Sequence, residues 1–159
     1  CAVFDADGAL VANAPHIPVH LGAMADTVAA VRRRFEPFGD GDAIVTNDPF
    51  EGGSHLPDVT VVSPVFLSGR ERPSFYVASR GHHADLDEGV LIEAFPLVRA
   101  GRFDEARLRA VLGAGPHPAR RPDDNVADLE AMLAANRAGA QRLRALAQEV
   151  GEAGVHGAM

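Results

Sequence analysis

The sequence predicts an α+β fold: a mixed, largely antiparallel sheet with flanking helices. Three observations lead there. Short runs of β-branched and aromatic residues, bounded by Gly, Pro and Asp, fill the region 1–98. A long stretch of helical periodicity dominates the region 99–159. No strand–helix alternation repeats between them, which disfavours a βαβ array. At 159 residues the chain suits a single domain, with a strand-rich part followed by a helical part.

Taken in order, CAVFDADGALVA reads as strand, turn, strand, with Asp7-Gly8 as the hairpin turn. NAPHIPVHLGAM carries two prolines, which forbid a regular helix through it. Met24, Thr27, Val28 and Val31 recur at helical spacing and predict a helix over 23–35, with Arg32, Arg33 and Arg34 suiting its C-terminal dipole. After a Gly-Asp turn, AIVTN is a short buried strand, and DPFEGGSHLP is a loop. VTVVSPVFL and SFYVAS are strands joined by the polar loop SGRERP, and RGHHADLDEG follows as a second loop. VLIEAFPLVRAG is extended or irregular, 103–112 is a short helix, and GPHPARRPDDN is a loop. Asp124 or Asn125 is placed to cap a long helix over 126–150, with Leu129, Leu133, Leu143 and Leu146 on its apolar side.

Composition narrows the function classes. Hydrophobic residues make up 47% and charged residues 23%, as in a soluble globular chain. The net charge of −7 disfavours a nucleic-acid binder, which needs a basic surface. All 15 basic residues are arginine, so Schiff-base and P-loop lysine chemistry is absent from this segment. The single cysteine, Cys1, allows no internal disulfide and no cysteine metal cage. No apolar run approaches the roughly 20 residues that span a bilayer. No signal peptide is visible, and a reducing cytoplasm is the expected location. The chain begins at Cys1, directly on a strand signal, so it is expected to be a fragment of a longer protein.

The chemistry concentrates in histidine-bearing loops, while His117 and His156 lie in later polar segments. In GGSHLPD, glycines let the backbone bend, and Pro57 stiffens the link between His55 and Asp58. Such a pair is either a capped turn beside a surface histidine, or half of a metal site with bonds of roughly 2.0–2.2 Å. His82-His83-Ala84-Asp85 follows the strand SFYVAS. If VTVVSPVFL and SFYVAS pair antiparallel, the start of the first and the end of the second share one edge of the sheet. Hairpin geometry then brings HLPD and HHAD together. Adjacent histidines on an extended backbone do not both face one ion, so one is a ligand and the other serves the pocket. Two imidazoles and a carboxylate leave open positions, the pattern of a catalytic Zn²⁺, Mn²⁺ or Fe²⁺ site. His16 and His20, four apart, line the same pocket if their segment is extended. Asp48 either orients a histidine or forms an Asx-turn, and Asn136 and Arg137 could face a subunit interface.

The stretches CAVFDADGALVA, APHIPVHLGAM, GDAIVTNDPFEGGSHLPDVTVVSPVF, SRGHHAD, DEGVLIEAFPLV and DNVADLEAMLAANRAGAQRL occur in one order over most of the chain. Together they resemble the hydantoinase B/5-oxoprolinase family, which includes subunits of ATP-dependent hydantoinases and lactamases and of acetone and acetophenone carboxylases. The resemblance implies the N-terminal part of a larger hydantoinase B-type subunit in a hetero-oligomer. A hydantoinase A-type partner would bind ATP with Mg. The expected reaction is hydrolysis of an ATP-activated cyclic amide, with ketone carboxylation and a non-catalytic assembly role as alternatives. The resemblance assigns a divalent metal (Zn or Mn, or else Fe) to His55, Asp58 and His82. His83, Asp85 and His20 are then the candidate catalytic residues of the pocket. Family members also carry an acidic residue before the position of Cys1 that is expected to join the metal. They have a glycine- and proline-rich stretch after HHAD, where this chain runs from Leu86 straight into Asp87-Glu88-Gly89.

Overall fold

The strand signals assemble into one seven-stranded sheet in the order β2-β1-β5-β4-β3-β6-β7. In the computed structural model, which describes residues 1–14, 19–86 and 89–158, the strands are β1 (Ala2–Asp5), β2 (Leu10–Asn13), β3 (Ala43–Thr46), β4 (Asp58–Val65), β5 (Phe75–His82), β6 (Phe95–Arg99) and β7 (Arg102–Phe103). Each described pairing is antiparallel. Three helices accompany them: α1 (Val19–Phe35), α2 (Glu105–Leu112) and α3 (Pro122–Ala158). The α+β expectation, with its largely antiparallel sheet and flanking helices, holds.

Both faces of the sheet are covered, which explains why the central strands read as nearly continuous apolar runs. Val62, Tyr76 and Ala78 face Met24, Val28 and Val31 of α1. Val59 and Val61 face Leu129 and Leu133 of α3, and Val65 and Val77 meet Ala140 and Leu143 further along it. Residues thus alternate between faces along β4 and β5, as the strand pleat requires. Full burial of each such side chain contributes about 1.5–3 kcal/mol.

The boundaries move where local chemistry overrides the sequence pattern. α1 starts at Val19, four residues before the expected 23. Proline is incompatible with a helix interior, but residues after it propagate freely. The backbone of His20 therefore lies in the first turn of α1 and not in an extended segment. His16 and the His20 side chain lie outside the described residues. β5 continues beyond Ser79 to His82, because Arg80 and Gly81 keep pairing with Thr60 and Val59. α3 begins at Pro122, and not after an Asp124 or Asn125 cap; proline is well suited to a helix's first position. It runs past the expected Val150 to Ala158, across a kink at Gly151. Asn136 does not face solvent: it is 1% exposed, and its Nδ2 donates to Val61 O at 3.0 Å and Ser63 Oγ at 3.1 Å.

Candidate metal centre

The β4–β5 hairpin does what its strand signals require. Asp58 opens β4 directly opposite His82, which closes β5. A cross-strand pair projects to one face of the sheet, with Cβ atoms about 4.5–5.5 Å apart. His55 reaches the same place from the preceding turn, which Asp58 N closes by donating to His55 O at 3.0 Å. His55 Nδ1 lies 2.9 Å from Asp58 Oδ2, and His82 Nδ1 lies 3.1 Å from Asp58 Oδ1. The two rings tilt at 36° with centroids 5.3 Å apart. Asp58 is 1% exposed, whereas the side chains of His55 and His82 are 52% and 53% exposed. A buried carboxylate is therefore flanked by two imidazoles that open outward.

Several residues hold this arrangement in place. Ser54 Oγ donates to Asp58 Oδ2 at 2.6 Å. Gly52, at φ 87°, packs so tightly on the backbone of Asp26 and Thr27 that no Cβ fits. Its carbonyl accepts from Thr27 Oγ1. Asn47, 1% exposed at the end of β3, donates to Leu56 O at 2.6 Å and Val90 O at 2.8 Å, and accepts from Ile92 N at 2.6 Å. It ties the HLPD turn to the segment before β6. Arg80 lies beside Asp58; burial pulls its guanidinium pKa down, opposed by the Asp58 charge.

The other sequence candidates take different places. His83 turns to the opposite face, 5% exposed, with Nδ1 3.2 Å from Asn125 Oδ1 of α3. Asp85 sits at the entry of α3. Its carboxylate accepts from Arg121 N at 2.9 Å, Arg120 N at 3.2 Å and Asn125 Nδ2 at 2.8 Å. Burial raises its proton affinity, but those donors outweigh it and hold the carboxyl below its ordinary range. Asp48 forms the Asx-turn, accepting from Phe50 N at 2.9 Å. Neither His83 nor Asp85 joins the cluster around Asp58. Ser54, Arg80 and Asn47 were not predicted as site residues. For Arg80 the signal was present: two residues before His82, it shares the face of His82 once β5 is extended that far.

One donor atom from each of His55, Asp58 and His82 lies within 4.8 Å of the others. Metal bonds of roughly 2.0–2.2 Å place neighbouring ligand atoms roughly 3–3.5 Å apart. The imidazole–carboxylate distances of 2.9 and 3.1 Å fit that spacing with little adjustment. The same ring nitrogens that meet the carboxylate here are the ones an ion would use, so the three groups can share protons or a cation.

The sequence model for hydantoinase B/oxoprolinase matches residues 1–159. The 5-oxoprolinase PfmaA of Pestalotiopsis fici is 43% identical over 174 aligned positions, covering 94% of this chain and 13% of that protein. The 5-oxoprolinase 1 of Arabidopsis thaliana is 42% identical over 95% of this chain and 14% of its own length. The ATP-dependent caprolactamase of Pseudomonas jessenii superposes with a TM-score of 0.80 at 27% identity, over 94% of this chain and 28% of that one. An acetone carboxylase shares the fold at a TM-score of 0.74 and 15% identity, over 98% of this chain and 22% of its own. This chain thus spans about 13% of the length of the first 5-oxoprolinase it matches. It belongs to the hydantoinase B/oxoprolinase family.

Proposed function

We propose that the chain is part of an ATP-dependent hydrolase of cyclic amides and carries that enzyme's divalent metal site. The observation behind this reading is the convergence of His55, Asp58 and His82 within 4.8 Å at one end of the sheet. Asp58 is the buried anchor, and Ser54 engages one of its oxygens. His55 and His82 supply imidazoles whose exposed rings leave the outer side open to a substrate. A divalent ion bound there supplies Lewis acidity and a more acidic water. β1 runs antiparallel to β5 with Ala2 opposite Ala78, so an N-terminal extension of β1 would pass beside Arg80 and His82. That is where an acidic residue preceding Cys1 would join the ligands.

The 5-oxoprolinase and caprolactamase names of the relatives favour a cyclic amide substrate. ATP with Mg is assigned to a hydantoinase A-type partner in a cytoplasmic hetero-oligomer, since the chain has no Walker loop. Among the described residues no helix is long and apolar enough to cross a membrane. The carboxylase alternative rests on fold likeness alone, and a purely structural role leaves the converging donors without a use.

Metal analysis of the full-length protein and its partner is the direct test. The expected result is a bound transition metal that His55→Ala and Asp58→Asn lose, together with ATP-dependent opening of 5-oxoproline, hydantoin or lactam rings. A metal-free wild type that still opens the ring, with activity retained in His55→Ala, would overturn the assignment.

A further inference from the structure

Beneath the His55–Asp58–His82 cluster lies a charged side chain with partners in three parts of the fold. Arg80 precedes His82 by two positions on β5, so the strand pleat puts both on one face, with Arg80 opposite Thr60. Its Nε donates to Thr60 Oγ1 of β4 at 2.7 Å. Its Nη2 donates to Thr27 Oγ1 of α1 at 2.8 Å and approaches the Gly52 carbonyl at 3.4 Å. Its Nη1 reaches Ser54 Oγ at 3.5 Å, and that hydroxyl donates onward to Asp58 Oδ2 at 2.6 Å. A guanidinium presents its N–H groups in a rigid plane, so it can join three elements at fixed angles where an ammonium cannot.

We infer that Arg80 is a positioning residue: it clamps the glycine loop to the sheet and, through Ser54, fixes the Asp58 carboxylate in the orientation that lets both imidazoles converge on it. The inference rests on the metal reading above. Its charge separates this role from simple attraction, because a cation beside the cluster repels a second cation. Arg80 therefore works through geometry, and by offsetting the negative charge of a buried carboxylate. Preserving the charge without the fork is then not enough.

The test uses full-length protein, with Zn²⁺ affinity measured by competition against a chromophoric chelator and the visible spectrum of the Co²⁺-substituted protein recorded. Removing a group that orients a metal ligand weakens binding by about 10–100-fold, and that loss is expected for both Arg80→Met and Arg80→Lys. Ser54→Ala is expected to weaken binding less, and the Arg80→Met/Ser54→Ala double variant to be no weaker than Arg80→Met alone, because the two act in series. The Co²⁺ bands shift in each variant. Ser54→Ala alone carries the test if the Arg80 variants do not fold. If the wild type binds Zn²⁺ and His55→Ala does not, wild-type affinity and an unchanged spectrum in Arg80→Met, or in Ser54→Ala, overturn the positioning role alone. Losses that multiply in the double variant also overturn it. A wild type that binds no ion overturns the metal reading itself.

Discussion

His82 and His83 are neighbours in sequence and nearly opposite in circumstance. His82 is the last residue of β5, paired with Asp58, half exposed and beside the other two donors. His83 falls on the other face, buried against Asn125. The two should therefore fail differently. His82→Ala is expected to abolish metal binding with little change in the stability of the metal-free protein. His83→Ala is expected to keep the metal but to cost about 1–3 kcal/mol, since it strips a buried side chain of its partner. Metal titration and urea denaturation of the two variants separate these outcomes. A second single residue, Tyr76, gives a pH prediction away from the site. Burial, reinforced by its bond to Glu36 at 2.9 Å and that carboxylate's charge, pushes its phenol up to about 12. The folded state thus holds this proton more tightly than the unfolded state, whose tyrosines titrate near about 10. Its contribution to stability is complete below about pH 10 and is lost as pH rises through the folded value. Tyr76→Phe should lower stability at neutral pH and flatten the decline above about pH 10, read by denaturation at several alkaline pH values.

At the scale of elements, the glycine loop decides whether the donors meet. Gly52 takes φ 87° with the backbone of α1 where a Cβ would go, and a Gly53 Cβ would come 2.5 Å from the Asp48 carbonyl. Gly52→Ala must either strain the loop or lift it from α1, at a cost of roughly 1–3 kcal/mol. Because the loop leads directly into Ser54 and His55, the expected outcome is lost metal affinity with an intact sheet, measured by titration alongside far-ultraviolet circular dichroism. The importance of these glycines could be read from sequence as a tight bend, but the surface against which they bend could not. The same limit recurs elsewhere. The convergence of HLPD and HHAD was legible because a hairpin brings its two ends together by local rules alone. The Asp58–His82 register followed once β5 extended past Ser79, yet nothing local marks Arg80 and Gly81 as strand residues. They stay paired because Val59 and Thr60 lie opposite them. Asn47, Asn125 and Asn136 were the least visible. Each bonds across 9 to 75 positions of sequence, a separation that no periodicity encodes.

For the whole molecule, the position of the candidate centre sets how strongly metal and fold are coupled. One apolar core lies under α1 and others lie under α2 and α3, with the sheet between them. All are built from side chains that need no ion. The donors occupy one end of β4 and β5, where an ion would join the glycine loop to the strand pair but would not bridge the two layers of helices. A ligand that binds only the folded state stabilises it by RT ln(1 + [L]/Kd), about 2.7 kcal/mol when its free concentration is about 100 times Kd. Zn²⁺ or Mn²⁺ should therefore raise the melting temperature by several degrees, and a chelator should reverse the shift. Chelation should not unfold the sheet, in contrast to small domains whose only core is their metal. Thermal melts with metal and with chelator, on wild type and His55→Ala, carry the comparison. A metal-dependent rise that persists in His55→Ala would place the ion elsewhere. Collapse of the circular dichroism on chelation would mean that the centre holds the fold together and not only the loop.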